Sequence, residues 1–409
     1  MWGIRRTIES GKPMNRLAAT LLALTLLVGA SSCTKVEDEA RPTERKAATL
    51  IYMVADNNLD YHAVQNINAM EQGLYEHEGE GATIYVYIDR AKGKGNSLLY
   101  KILPDTSSLI RSKIEFAYPE MDSADPSVLR RILNDVGTLA AGRNERLRGL
   151  ILWSHGSAWL PKGNRLSSSR GEIQGTSVRS KSFGVDSDAD TEMGILGLSD
   201  ALSGQHFDFL IFDACFMGSI EVAYELRSCA DYIIASPTEV LASGFPYREL
   251  VPLLRVKEVD YQAICDKYLA HYQSYNGILN SASVCLVRTA GLTGFAQKLG
   301  ARLDTATLER ALRSSVQYEV GRSKVLFDIN ALVNAIEDEG ERDTLRQRIS
   351  EIIIHYRHTD RFLGKIPLVA TGGLSIFIPN GSFDDETIEY QQYRNLSWAR
   401  DSHLPRVGN

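Results

Sequence analysis

Short apolar runs alternate along this chain with stretches whose apolar residues recur at helical spacing. The strongest runs predict strands at 48–55, 83–89, 147–154 and 207–217. The helical pattern is clearest at 59–71 and 126–141. Strands that alternate with helices predict an α/β fold, a three-layer α/β/α sandwich around a mostly parallel central sheet.

Weaker patterns fill in the rest of the chain. Two short runs at 98–103 and 112–117 predict a hairpin at the edge of the sheet. Later strands are predicted at 231–236, 282–287 and 373–379, and later helices at 195–204, 221–227, 260–275 and 289–303. The stretch 237–247, which contains Gly and Pro, predicts a loop.

Two reactive side chains follow two of the predicted strands. Cys215 lies where the run 207–217 gives way to a helical pattern, and His155 follows the run that ends at Ser154. Parallel strands end at one edge of a sheet, so we expect both side chains at that edge. A helix N-terminus there favours a thiolate, and Cys with His is an arrangement used in nucleophilic catalysis. Without His155, a small core residue would be the simpler interpretation of Cys215.

Composition limits the classes of protein to consider. The chain has 409 residues, enough for one large or two ordinary domains, and its 44% apolar and 23% charged residues are typical of soluble globular proteins. The net charge of −6 argues against nucleic acid as a main partner. The five cysteines have neither zinc-like spacing nor a disulfide pattern, and Cys229, Cys265 and Cys285 are expected in the core.

The N-terminus has the pattern of a targeting segment. A basic start is followed by an apolar stretch at 17–28 that is too short to span a bilayer, and then by small residues before Cys33. This resembles a bacterial lipoprotein signal, although Ala30 stands where Leu is usual. It predicts a signal peptide at 1–33 with a lipid on Cys33, a tether at 34–46 and a folded domain at 47–409. The predicted location is the bacterial cell envelope, anchored in the membrane, with ordinary secretion as the alternative.

A region of different composition, 157–182, follows His155. It contains seven Ser and five basic residues and has no helical or strand period, which predicts a functional or disordered loop open to proteolysis. In the acidic stretch that follows, Asp186, Asp188 and Asp190 alternate as in a calcium loop. The spacing lacks the Gly and Glu of an EF-hand, so calcium is only a candidate ligand and no other cofactor is expected.

Several motifs together resemble a known family. They are, in chain order, LIYMVADNNLD, YVYIDR, LILWSHG, FDACFMGSIEVAYELR, ADYIIASPTEV and GLSIFIP. Their order from about Ala48 to Pro379 is similar to that in the clostripain family of bacterial cysteine peptidases. The resemblance implies the fold shared by caspases, gingipains and legumains, and an endopeptidase that acts on proteins or peptides.

The resemblance also implies roles for single residues. By motif, Cys215 is the nucleophile that attacks the scissile carbonyl, and His155 protonates the leaving amine and then activates water. The backbone N–H groups of Gly156 and Cys215 are candidates for the oxyanion hole. Asp213 is a candidate floor of the pocket for the substrate residue before the cut, the alternative being a buried helix-capping carboxylate.

This chain departs at one position from the family's pattern for substrate preference. The family favours Arg or Lys before the cut, which an acidic pocket explains through charge-assisted pairing. A second Asp in the family's G-D-G-x-P-Y loop is replaced here by Ser243. Glu239 lies close in sequence and is a candidate to compensate, so the choice between Arg and Lys stays open.

Family members are zymogens that cut themselves between the His and Cys motifs. The basic loop 157–182 suits such a cut, which we predict after Lys181 or Arg179, giving a monomer of a light and a heavy chain. The alternative is that these basic residues only solvate the loop. Two other functions are weighed: an amidase using the same Cys and His, and a non-catalytic surface lipoprotein that binds peptides or partner proteins.

Overall fold

The computed structural model describes residues 45–164, 183–300, 303–320 and 325–408. Its strands are β1 (Lys46–Ala55), β2 (Thr83–Arg90), β3 (Leu98–Lys101), β4 (Lys113–Ala117), β5 (Glu145–Trp153), β6 (Phe183–Asp186), β7 (Thr191–Met193), β8 (Phe207–Asp213), β9 (Ala230–Ala235), β10 (Ser283–Arg288), β11 (Phe327–Asp328), β12 (Ile353–His358), β13 (Arg361–Phe362), β14 (Ile366–Pro367) and β15 (Ser375–Ile376). A 3₁₀ turn lies at Gly277–Leu279. The helices are α1 (Asp60–Glu76), α2 (Pro126–Gly142), α3 (Ile195–Ala201), α4 (Ile220–Glu225), α5 (Tyr247–Arg255), α6 (Tyr261–Gln273), α7 (Leu292–Gly300), α8 (Thr305–Ser314), α9 (Asn330–Ala335), α10 (Glu339–Ile352), α11 (Ile388–Asn395) and α12 (Ser397–Ser402).

A nine-stranded sheet organises these elements, in the order β12-β10-β9-β8-β5-β1-β2-β3-β4. The five central strands, β9 to β2, run parallel. Antiparallel pairing adds two further strands at each edge: β10 and then β12 beside β9, and β3 and then β4 beside β2. The mostly parallel sheet and the edge hairpin β3–β4 are as predicted.

Helices cover both faces of the sheet, which is why the central strands are apolar throughout. Along β1, Leu50 and Tyr52 belong to one buried cluster while Ile51 and Met53 belong to the other. Helices α1, α5 and α6 supply the second cluster, and α2, α3, α4 and α7 are among those that supply the first. The result is the expected three-layer sandwich.

The predicted strand at 373–379 is wrong for most of its length. Only Ser375–Ile376 is a strand, and it pairs with β11 in a small separate sheet. The segment is held by the loop that follows β8, since the amide of Ser375 donates to the carbonyl of Gly218 at 2.9 Å. Its apolar side chains are therefore buried without a place in the main sheet. Among the described residues, no helix combines the length and apolar character needed to cross a bilayer.

Candidate active site

Three adjacent parallel strands end at one edge of the sheet and carry the candidate site. The central strands β1, β5 and β8 lie side by side, with Met53 opposite Trp153 and Trp153 opposite Asp213. Each is followed by a polar or reactive side chain: Asn58, His155 and Cys215. The predicted placement of His155 and Cys215 beyond neighbouring strand ends is what the structure shows.

The backbones of the His and Cys segments are in direct contact. A Cβ atom added to Gly156 would lie 2.5 Å from the carbonyl oxygen and 3.1 Å from the amide nitrogen of Cys215. The amide of Ser154 also donates to the carbonyl of Asp213 at 3.2 Å. Because no side chain fits between the two segments, glycine is required at 156 for this approach.

Cys215 begins a tight turn between β8 and α4. Phe216 has φ of 64°, which is unusual for a residue with a side chain and costs free energy that the surrounding contacts must offset. Two hydrogen bonds hold the turn to the segment after β9: Phe216 N–H to Thr238 O at 2.8 Å, and Gly218 N–H to Ser236 O at 2.7 Å. The turn thus fixes where the sulfur lies.

The segment after β9 also touches the sulfur. The amide of Val240 donates to Sγ of Cys215 at 3.3 Å, and the thiol lies 3.6 Å from the carbonyl oxygen of Val240. Three buried hydroxyls support this segment: those of Ser236, Thr238 and Ser283 lie 2.8 to 3.1 Å apart. Cys215 is the one partly exposed cysteine among those described, since Cys229, Cys265 and Cys285 are buried as predicted.

His155 is buried and held on two sides. Its carbonyl accepts from the amide of Gly184 at 3.1 Å, and its ring Nε2 lies 2.8 Å from Oδ1 of Asn58. Asn58 was not among the site residues predicted from the sequence. The available signal was its place just after β1, a strand predicted in the same parallel sheet.

Asp213 lies beneath the loop that leads into α5. Its Oδ2 accepts from the amide of Phe245 and from the hydroxyl of Tyr247, both at 3.0 Å. Gly244, with φ of +69°, covers the carboxylate so closely that an added Cβ would lie 2.5 Å from Oδ2. Burial raises the pKa of Asp213 to about 6, although the two hydrogen bonds favour the charged form. Asp213 therefore holds this loop and does not cap the helix after Cys215.

Ser243 and Glu239 flank this loop. Ser243 is exposed, its hydroxyl lies 3.1 Å from that of Tyr272, and its carbonyl accepts from the side chain of Asn66 at 3.1 Å. Tyr272 in turn donates to the carbonyl of Gly244 at 2.7 Å. Glu239 is half-buried, one residue before Val240. The loop is thus held in place around the single carboxylate of Asp213.

Three of the candidate residues, Cys33, Arg179 and Lys181, lie outside the described residues, so lipidation and self-cleavage stay predictions. The chain re-enters the described part at Phe183, and Gly184 contacts His155 directly. The loop's C-terminal boundary is therefore next to the site.

The three alternating aspartates do not converge on one point. Asp186 is buried and accepts from the amides of Ser123 and Ala189, at 2.9 and 3.0 Å. Asp188 pairs with Lys92, and Asp190 pairs with Lys162. Over the described ranges, no group of three or more His, Cys, Asp or Glu could hold a metal ion. The donor set does not fit the calcium loop considered from the sequence.

Comparisons with known proteins identify relatives of this chain. The model of the clostripain family matches residues 51–361. Clostripain from Hathewaya histolytica is 26% identical over 231 residues, which is 50% of this chain and 41% of that protein. The match therefore spans less than half of clostripain's length.

Two solved structures share the fold. The inactive zymogen of a C11 protease from Parabacteroides distasonis has a TM-score of 0.70 and 27% identity, with 88% of this chain and 99% of that chain covered. A secreted C11 cysteine protease from Bacteroides thetaiotaomicron, in complex with an irreversible peptide inhibitor, has a TM-score of 0.71 and 23% identity, with the same coverage of 88% and 99%. The predicted caspase-like sandwich is thereby confirmed. Since the family model covers most of the chain, this protein belongs to the clostripain family of cysteine peptidases.

Proposed function

We propose that this chain is a cysteine endopeptidase with Cys215 as nucleophile and His155 as general acid and base. The thiolate attacks the scissile carbonyl, the imidazolium protonates the leaving amine, and the neutral imidazole then activates the water that releases the acyl group. The contact of Gly156 with the backbone of Cys215 supports this proposal most strongly, because it holds the two segments together.

The oxyanion that forms during attack needs hydrogen-bond donors. We assign this role to the backbone N–H groups of Gly156 and Cys215. The close approach of the two residues supports the assignment, since donors fixed before the reaction stabilise developing charge without reorganising.

The proposed substrates are proteins or peptides with Arg or Lys before the cut. Asp213 would receive the basic side chain, because a buried carboxylate attracts a cation more strongly than an exposed one. Its Oδ2 is already engaged by Phe245 and Tyr247, and Ser243 brings no second charge. Glu239 is the second candidate acid. We infer a preference for Arg or Lys over neutral residues that is weaker than two carboxylates would give.

A peptide library that varies the residue before the cut tests both activity and preference. We expect cleavage after Arg or Lys by the wild type and none by Cys215→Ala or His155→Ala. Iodoacetamide should label Cys215 first, because burial raises the pKa of Cys229 and Cys265 and raises that of Cys285 to about 12. A chain that is folded and labelled at Cys215 but cleaves no peptide would instead be a binding protein or an amidase.

We further propose that the chain is a zymogen that cuts itself after Lys181 or Arg179. The position of Gly184 against His155 supports this, because it brings the loop's C-terminal boundary to the catalytic residues. Cys215→Ala should stay intact under conditions in which the wild type yields two fragments. If Cys215→Ala shows the same fragments, another protease makes the cut.

The proposed location is the bacterial cell envelope, through a lipid on Cys33. Labelling cells with a radioactive fatty acid should mark the wild type and leave Cys33→Ala unlabelled. An unlabelled wild type found in the medium would indicate ordinary secretion.

A further inference from the structure

We propose that Asn58 is a positioning residue that fixes the orientation and tautomer of His155. This inference rests on the proposed peptidase function and adds a third residue to the proposed Cys/His pair. It is carried by the distance of 2.8 Å between Oδ1 of Asn58 and Nε2 of His155.

The turn that carries Asn58 is fixed by the preceding residue. The side-chain amide of Asn57 donates to the carbonyls of Val54 and Val185, both at 2.9 Å, and its Oδ1 accepts from the amide of Leu59 at 2.9 Å. Asn57 is buried whereas Asn58 is exposed. The turn therefore does not depend on the Asn58 side chain, which remains available to bond with the imidazole.

The contact determines which ring nitrogen carries the proton in neutral His155. An amide oxygen only accepts hydrogen bonds, so Nε2 must be the donor and Nδ1 carries the lone pair. In the proposed mechanism the thiol proton of Cys215 moves to Nδ1, which leaves a thiolate and an imidazolium. The proton on Nε2 stays on that nitrogen throughout, hydrogen-bonded to Oδ1 of Asn58, and Nδ1 later delivers the transferred proton to the leaving amine.

The same contact favours the charged form of the ring. A hydrogen bond from an ionised donor is stronger than one from a neutral donor, so the bond to Asn58 gains strength when His155 becomes an imidazolium. Because the amide is neutral, it orients the ring without adding a charge near the thiolate. Asn58 therefore acts through His155 and touches no substrate.

Kinetics of Asn58→Ala give the first test. Loss of a hydrogen bond to a charged group should lower kcat about 10- to 100-fold. KM should change less than about twofold, because the lost contact is not to substrate. Asn134→Ala, a change of an exposed asparagine on α2, should behave as the wild type.

The pH dependence of Cys215 alkylation gives the second test and needs no peptide substrate. In Asn58→Ala the rise in alkylation rate should shift to higher pH, because the ion pair is less favoured. Asn58→Asp retains an acceptor and adds a charge that favours the imidazolium. It should recover much of the activity, with the alkaline limb of the rate profile moved to higher pH.

The outcomes separate this proposal from the proposed function. If Asn58→Ala folds like the wild type by circular dichroism and keeps its kcat and alkylation profile, Asn58 has no positioning role. If Asn58→Asp is as impaired as Asn58→Ala, an acceptor at this position is not what matters. If the wild type cleaves no peptide but its alkylation profile still depends on Asn58, the peptidase proposal fails and the positioning role stands.

Discussion

At the scale of single residues, the candidate site depends on two glycines that leave no room for a side chain. Gly156 lies against the backbone of Cys215, and Gly244 lies against the carboxylate of Asp213. At Gly156 the contact is with backbone atoms, which cannot move aside as the end of a flexible side chain can, and at Gly244 the φ of +69° by itself disfavours any other residue. A substitution at Gly156 therefore tests the proposed catalytic pair, and one at Gly244 tests the proposed substrate pocket.

Gly156→Ala should reduce activity at least about 100-fold, because the added methyl group forces the His and Cys segments apart and small misplacements of reacting groups cost this much. We expect a loss of stability of about 1–3 kcal/mol from the same overpacking. The matched control is Gly137→Ala on α2, where an added Cβ meets nothing within 4 Å. It should stabilise the protein by about 0.4–1 kcal/mol and leave kcat/KM unchanged. Equal activity in the two variants would contradict the required contact.

Asp213, the proposed pocket residue, also affects stability, because its carboxyl group is buried. Its pKa rises from the ordinary value of 3.8 to about 6, so its contribution to stability is fully present below about pH 4 and is lost as the pH rises through about 6. Asp213→Asn should therefore be more stable than the wild type at pH 8, by up to about 3 kcal/mol, and equal to it near pH 4. Cleavage after Arg and Lys should fall in the same variant.

Urea unfolding at several pH values measures this difference. The control is Asp208→Asn on the same strand, β8, where the carboxylate pairs with Arg146 near the surface. The effect of this control on stability should stay below about 1 kcal/mol. A wild type whose stability relative to Asp213→Asn is independent of pH would show that the pKa of Asp213 is the same in the folded and the unfolded chain.

At the scale of elements, the apolar periodicity of the sequence predicted the central strands, and the ends of those strands predicted the positions of His155 and Cys215. The strands around Leu50, Ile151 and Phe209 are continuous apolar runs because helices cover both faces, and His155 and Cys215 follow from the direction of those strands. The segment 373–379 has the same local pattern, yet a hydrogen bond to the Gly218 loop holds it outside the main sheet. Such partners far away in sequence leave no periodic signal.

The contacts of Asn58 and Asp213 also escaped prediction, because their partners are far away in sequence. Asn58 lies in a turn shortly after β1. Only the pairing of β1 with β5, the strand that precedes His155, brings the two side chains within hydrogen-bonding distance. The partners of Asp213 come from residues 245 and 247, on a loop whose path depends on the packing of α5. The helix α5 itself follows a stretch predicted only as a loop.

Glu221, on α4, accepts a hydrogen bond from the segment 373–379, and this contact suggests a test at the same scale. Its carboxylate accepts from the amide of Phe377 at 2.8 Å and from the hydroxyl of Ser219. Glu221→Leu should destabilise the protein by about 1–3 kcal/mol for each buried group left unpaired, whereas Glu221→Gln keeps an acceptor and should cost less than about 1 kcal/mol. Thermal unfolding of both variants measures this, and equal losses would mean that packing, not hydrogen bonding, holds the segment.

At the scale of the whole molecule, the main sheet consists of two contiguous halves, one before residue 157 and one after residue 182 in the chain. Strands β1 to β5 form the first half, and β8, β9, β10 and β12 form the second. In the sheet the two halves meet along β5 and β8, where Leu150 pairs with Leu210 and Trp153 with Asp213. His155 and Cys215 lie at the end of this junction, one from each half.

A chain cut between residues 164 and 183 should therefore stay together, because the β5–β8 ladder and the two buried clusters persist without the peptide link. Size-exclusion chromatography should give one peak at the mass of the intact protein, and the two fragments should separate only in denaturant. An engineered protease site in this range, in Cys215→Ala, makes the test independent of self-cleavage. Fragments that elute separately without denaturant would contradict the proposed cohesion of the halves.

The division of the sheet has a consequence for how the protein could be encoded. If the β5–β8 ladder is the main join between the halves, two genes translated separately could supply them, and activity would arise only where both products meet. Each product alone would expose the unpaired edge of a central strand, which invites association with other chains. A single reading frame that is severed after folding avoids that exposure and still yields two polypeptides.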